Sequence, residues 1–374
     1  MSGAMIERST LLKMLRPAGG GVHVVSTGVQ ETQALQARIY RASSVDDIHE
    51  KWCGAIDSLH ASKACLLGVP SDTGAGFTRG ANRAPAALRA HLLKTPSHPV
   101  WHSDLVDIGD VYTVPQLLSA EMISDAQKIR TEKALYGHDH GLKNPPISPL
   151  DICRAALEFA YAEQPNIRPI VLGGDHSIGW PAFAAAYQHW EKTLGRRIGL
   201  LHFDAHTDLL KDRLGIQYCF ATWAYHANEL LGRDGRLVQV GIRASGHTRA
   251  HWETSLGVKQ YWAQDAEAMG VDDLAEDIRV RFRQLGVDAL YVSNDIDGTD
   301  PQFAAATGTP EPHGLTPGLV SGLTRRLAAE FPLVGGDLVE VAPPLAGEVN
   351  GEPERTLDTA GRYLGDLCQL ACAD

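Results

Sequence analysis

A doubly wound α/β fold is the class this sequence predicts, on three observations. Short runs rich in Val, Ile and Leu recur along the chain, polar helix-like segments separate them, and acidic and imidazole residues collect where the runs end. Continuous apolar runs, unlike alternating ones, suit strands buried on both faces of a parallel sheet. Strand–helix alternation sustained along a chain is the pattern of a sheet covered by helices on both sides.

The predicted strands are ACLLGV (64–69), LVDIGDV (105–111), PIVLGGD (169–175), IGLLHFDAH (198–206), LVQVGI (237–242), ALYVSNDID (289–297) and LVGGDLVEVAP (333–343). The predicted helices between them are PAALRAHLL, LDICRAALEFAYA, DDLAEDIRVRFRQL and LVSGLTRRLAAEF, the last preceded by the helix-start signal LTPG. Two regions fall outside this rhythm. Residues 1–63 form an N-terminal extension, expected to be an oligomer contact or a lid, ahead of a catalytic domain at 64–374. Residues 115–149 form an insertion in that domain, and an insertion this long is usually functional or an oligomer contact. For His138 and His140 in its GHDHG segment, a structural or interface role is expected.

Composition narrows the function. The 374 residues are 44% hydrophobic and 21% charged, ordinary for a globular enzyme. A net charge of −11 repels phosphate backbones and argues against nucleic-acid partners. No apolar run has the length of a membrane helix, and the N-terminal segment lacks the apolar core of a secretory signal. The six cysteines include no C-x-x-C pair, which fits reduced thiols, so a cytoplasmic location is expected. Cys219 reads as a small buried hydrophobe.

The chemistry lies at strand ends, where open α/β sheets bind ligands. One strand runs into Gly173-Gly174-Asp175-His176-Ser177, another into Asp204-Ala205-His206-Thr207-Asp208, a third into Asp295-Ile296-Asp297. In extended chain, residues i, i+2 and i+4 share a face. Asp204, His206 and Asp208 can therefore converge, as can Asp295 with Asp297. With His176 the set holds four carboxylates and two imidazoles, and four clustered buried negative charges are prohibitively costly unless cations neutralise them. Two divalent ions balance that charge, and oxygen-rich ligation favours Mn²⁺ or another first-row ion over structural zinc. Two such ions sharing a water lower its pKa and supply a hydroxide nucleophile at neutral pH, the signature of a hydrolase.

At these residues the chain resembles the arginase/agmatinase (ureohydrolase) family. The matching segments are GGDHS (173–177), DAHTD (204–208) and SNDIDGTDP (293–301), with further likeness in LGVPSDTGAGFTRGANRAPAALR (67–89), TGTPEPHGL (307–315) and DLVEVAPPL (337–345). The resemblance implies a three-layer α/β/α fold around a mostly parallel sheet, and hydrolysis of a guanidino C–N bond by a metal pair. It implies that His176, Asp204, Asp208 and Asp295 hold one ion and that His206, Asp204, Asp295 and Asp297 hold the other. Asp208 would also help move the water's proton, and Glu340 would pair with the substrate guanidinium, for which a carboxylate offers a bidentate partner. Assembly as a homo-oligomer, a trimer or hexamer, or as a hetero-oligomer with a homologous and even non-catalytic subunit is implied as well.

Four departures bear on substrate. Where the family has His-Gly-Thr after D-A-H-x-D, this chain has Phe220-Ala221-Thr222, followed by Trp223. Asn294 replaces a common Phe, His313 stands at a family glycine, and VEVAP replaces V-E-V-N-P. These features resemble the branch acting on guanidine and on alkylated guanidines or biguanides such as metformin, whose members prefer nickel; Ni²⁺ is therefore favoured, with Mn²⁺ the alternative. Phe220, Thr222 and Trp223 are expected to wall a small pocket whose aromatic faces receive a compact cation. His313 is expected to contact substrate and to give the leaving amine the proton that Phe220 cannot. Agmatinase or guanidinobutyrase activity is the alternative.

Overall fold

The computed structural model describes residues 6–138, 140–347 and 349–373. Among them nine strands form one sheet: β1 (Leu15–Arg16), β2 (Ala64–Val69), β3 (Leu105–Val111), β4 (Arg168–Gly173), β5 (Ile198–Phe203), β6 (Leu237–Ile242), β7 (Lys259–Trp262), β8 (Ala289–Asp295) and β9 (Leu333–Val339). Their spatial order is β1-β3-β2-β4-β9-β8-β5-β6-β7, parallel throughout except where β1 meets β3. Successive residues of β2 enter opposite cores, Cys65, Leu67 and Val69 on one face and Ala64 and Leu66 on the other. Helices cover both faces, which gives the three-layer α/β/α architecture, and explains why the strands read as unbroken apolar runs.

All seven predicted strands are present, ending two to four residues early wherever the chain turns to deliver polar groups. β1 and β7 escape prediction because a two-residue strand and the polar KQYW carry no apolar signal. Of the four predicted helices, three stand nearly as read, at Ala84–Leu92, Pro149–Glu163 and Pro317–Ala328. The fourth is the second half of Ala263–Gln284, which bends at Gly270, a residue with φ 74°.

The described part of the N-terminal extension is built into the fold. Leu11, Met14, Leu15, Trp52, Ile56 and Leu59 are core residues, and the Trp52 indole donates to the carbonyl of Ile108 over 2.9 Å. Asp110 Oδ2 accepts from the N–H groups of Gly19 and Gly21, while its Oδ1 binds the fully buried guanidinium of Arg89. Displacing this segment would leave the buried Asp110 Oδ2 without its two backbone donors. The insertion carries the helix Asp125–Tyr136, whose Tyr136 hydroxyl donates to Pro146, and His140 Nδ1 accepts from Leu142 N–H within the same loop. Among the described residues no helix is long and apolar enough to cross a membrane.

Candidate metal centre

The strand order places β4, β9, β8 and β5 side by side, so residues far apart in sequence meet at the carboxyl ends of the central strands. His176 follows β4, Glu340 follows β9, Asp295 closes β8 with Asp297 just beyond it, and Asp204 to Asp208 follow β5. His176 Nδ1 lies 3.4 Å from Asp204 Oδ2, 3.3 Å from Asp208 Oδ2 and 3.0 Å from Asp295 Oδ2. His206 Nδ1 lies 3.4 Å from Asp204 Oδ1 and 3.1 Å from Asp297 Oδ2. Two ligand clusters result, and Asp204 turns one oxygen to each.

Donor chemistry and electrostatics fit a pair of divalent ions. All four carboxylates are buried, and among the described residues their ion-pair partners are histidines, with no lysine or arginine. Burial, then the charge of Asp204, pushes the Asp208 carboxyl well above the usual range; burial, then Asp297 and Asp204, does the same to Asp295. Burial would also raise Asp204, but bonds from His176, His202 and His206 hold it well below. Burial disfavours the charged imidazoles, yet Asp204 and Asp208 raise His176 to about 9, and Asp297 and Asp204 raise His206 to about 12. The centre is thus a set of anions drawing protons in place of cations. His176, Asp204, Asp208 and Asp295 would hold one ion, and His206, Asp204, Asp295 and Asp297 the other.

A supporting layer lies one residue pair below the ligands. Gln260, Gln239, His202, Ser293 and Asp337 are in register across β7, β6, β5, β8 and β9, and all are fully buried. Gln260 donates to Gln239 Oε1 over 2.8 Å, and Gln239 donates to His202 Nδ1 over 3.0 Å. That leaves His202 Nε2–H to donate to Asp204 Oδ2 over 2.9 Å, and burial lowers the His202 pKa, keeping the ring neutral. On the other side His176 Nε2 meets Ser293 Oγ at 2.9 Å, and Ser293 donates to Asp337 Oδ1 over 2.6 Å. Pinning Nε2–H in this way leaves the Nδ1 lone pair of His176 for an ion. Sequence reasoning missed this row, although His202 and Ser293 each stand two residues before a ligand, on the same strand face. His202, Asp204, His176 and Asp208 bring ligand atoms close together. Because both ring nitrogens of His202 are engaged, it supports Asp204, and Asp295 completes the set.

Glu340 Oε1 accepts the backbone N–H of His176 over 2.9 Å. Burial, then Asp295, raises its carboxyl well above normal, and no cation pairs with it among the described residues. Asp208, His313 and Glu340 all have positive φ (51°, 63° and 60°), a conformation costly for residues other than glycine and concentrated at functional sites. His313 is exposed, on a loop clamped beside the centre: Arg243 donates to the carbonyls of Glu311 and Asp297, each over 2.7 Å, and Thr309 donates to Asp297 Oδ2 over 2.9 Å.

The aromatic wall needs correction. Trp223 and Thr222 have no exposed surface, so neither lines a pocket. Thr222 Oγ1 bonds to Cys219 as part of the turn that starts the helix Trp223–Leu230. Trp223 packs beneath the ligands, against the rings of His176 and His202. Phe220 alone is half-buried at the surface, its N–H donating to Gly74 over 3.1 Å. Arg213 lies over its ring, so the face expected to receive a substrate cation already carries one.

Comparison with known proteins agrees with this geometry. The model of the Arginase family matches residues 62–366. The guanidinobutyrase of Pseudomonas aeruginosa is 31% identical over 298 residues, covering 76% of this chain and 81% of that protein. The mitochondrial guanidino acid hydrolase of Homo sapiens is 32% identical over 294 residues, covering 75% and 72%. Among solved structures, proclavaminate amidino hydrolase of Streptomyces clavuligerus superposes with a TM-score of 0.64 at 25% identity, covering 83% of this chain and 92% of that one. With the fold, the strand-end ligands and the family model in agreement, the chain belongs to the arginase family of metal-dependent hydrolases acting on guanidino compounds.

Proposed function

We propose that this member hydrolyses a small guanidine compound: guanidine to urea and ammonia, or an alkylated guanidine or biguanide such as metformin to guanylurea and dimethylamine. The observation carrying the reading is Glu340, a buried carboxylate beside the ligands that lacks a cationic partner among the described residues. A guanidinium supplies that partner. Phe220 and Arg213 support a compact substrate, because Arg213, held over the Phe220 ring, repels a second positive charge such as an aminoalkyl tail carries.

The residues of the two clusters would hold divalent ions, Ni²⁺ in preference to Mn²⁺, and those ions would supply a water of lowered pKa. Glu340 holds the guanidinium so that its planar carbon faces that water. Asp208 accepts the proton as the water adds to carbon. His313, on the clamped loop, returns a proton to the departing amine as the C–N bond breaks. The extension and insertion serve contacts between subunits in a homo-oligomer or with a homologous chain.

A second reading, hydrolysis of a guanidino acid such as 4-guanidinobutyrate, draws on the same Arg213, whose guanidinium would receive the acid's carboxylate; the guanidinobutyrase and guanidino acid hydrolase relatives favour it. Product analysis separates the classes. Incubating metal-loaded protein with guanidine should yield urea and ammonia in equal amounts. Absence of urea from guanidine, and of dimethylamine from metformin, would remove the first reading.

A further inference from the structure

We propose that Trp223 is a positioning residue of the metal centre: its indole N–H fixes the Asp208 carboxylate and its ring fixes His176, so the cluster these two ligands share holds its ion tightly only while the indole is in place. The inference rests on the binuclear reading above and adds to it a residue that is neither ligand nor substrate contact.

Three contacts converge on this one side chain. Nε1 donates to Asp208 Oδ2 over 3.0 Å, the same oxygen that faces His176 Nδ1 at 3.3 Å. The ring stacks on His176 with centroids 4.5 Å apart and planes 26° apart, and meets the His202 ring edge-on at 4.8 Å. The indole is wholly buried, so these contacts exclude water and leave it no surface to offer a substrate. The helix it begins grips Asp208 a second time, the N–H of Tyr225 donating to the Asp208 carbonyl over 3.1 Å. Asp208 sits at φ 51°, a conformation that persists only where surrounding contacts impose it, and Trp223 with Tyr225 are such contacts.

The physical consequence is preorganisation. A carboxylate free to turn about its Cβ–Cγ bond must be ordered when an ion arrives, whereas one oxygen already bonded to an indole N–H is aimed in advance. His176 is held on its other nitrogen by Ser293 and on its face by Trp223. The neighbourhood is shaped for the ring: a Cβ at Gly179 would lie 2.9 Å from Trp223 Cδ2 and Cε3, closer than packed atoms approach, and 3.3 Å from His176 Cδ2 on the ring stacked against it. Groups that orient metal ligands typically change affinity about 10- to 100-fold.

The test uses the full chain, stripped with chelator and titrated with Ni²⁺ and, separately, Mn²⁺. Trp223→Phe keeps an aromatic face and removes the N–H; Gly179→Ala keeps the indole and displaces it. Circular dichroism of the stripped proteins establishes folding, and Gly179→Ala decides the matter should Trp223→Phe not fold. The wild-type chain should bind two ions, with tryptophan emission quenched as the His176–Asp208 cluster fills. Both variants should hold one ion normally and the other about 10- to 100-fold more weakly. At limiting metal kcat should fall in proportion while KM stays unchanged, and Trp223→Phe should lose the quenching. Two ions bound at wild-type affinity by folded variants would overturn the inference and leave the binuclear reading standing. A wild-type chain that binds no divalent ion would overturn that reading itself.

Discussion

The guanidinium carbon of Arg213 lies 4.8 Å from the centre of the Phe220 ring. A cation over an aromatic face at an exposed site is held by about 0.5–1 kcal/mol, so Arg213 is easily displaced but repels cations near it. Arg213→Ala should therefore lower KM for guanidine about two- to fivefold with kcat unchanged. On the guanidino-acid reading the same variant should lose tenfold or more in kcat/KM for 4-guanidinobutyrate. Steady-state kinetics on both compounds distinguishes the outcomes, and no change on either would leave Arg213 without a part in selection.

Metal removal should make stability fall with rising pH. Asp208 and Asp295 hold protons well above their ordinary 3.8, and His176 and His206 are raised from 6.5 to about 9 and about 12. In each case the metal-free folded state binds more protons than the unfolded one. Its added stability is complete below the unfolded pKa and is lost as pH climbs toward the folded value. Ions need deprotonated ligands, so loading releases protons and strengthens with pH. The gap in Tm between loaded and chelated protein should therefore widen between about pH 5 and about pH 9. Parallel curves would contradict the ligand set.

Gln239→Leu tests the row beneath the ligands. It leaves His202 Nδ1 without its donor and Gln260 without its acceptor, so the tautomer that donates to Asp204 is no longer selected. Unpaired buried groups cost about 1–3 kcal/mol each. Tm should drop by several degrees, and affinity for the ions should fall about 10- to 100-fold. A variant melting lower but binding metal normally would make the row purely structural.

This row also marks what was legible in the sequence. The apolar runs revealed the strands, and the i, i+2 spacing brought Asp204, His206 and Asp208 together, because both are local patterns. Register between strands is not local, so the alignment of Gln260, Gln239, His202, Ser293 and Asp337 emerged only with the fold. Trp223 was misplaced for a related reason. Its position near DAHTD in sequence suggested the mouth of the site, whereas the turn at Thr222 directs its ring beneath the ligands.

His313→Gly should separate stability from catalysis. With φ at 63°, glycine fits the backbone better than histidine, and relief of that strain is worth about 1 kcal/mol. Tm should hold or rise slightly while kcat falls about 100-fold, the usual contribution of a positioned imidazole. Near-normal kcat across the pH range would exclude His313 as the proton donor.

The most direct test of the central claim is a substrate panel on protein loaded separately with Ni²⁺ and with Mn²⁺. Guanidine, metformin, agmatine and 4-guanidinobutyrate should be compared by kcat/KM. Hydrolysis of a small guanidine or biguanide at least tenfold more efficient than that of agmatine and 4-guanidinobutyrate, and faster with Ni²⁺, is the predicted result. A clear preference for agmatine or 4-guanidinobutyrate with either ion would contradict it.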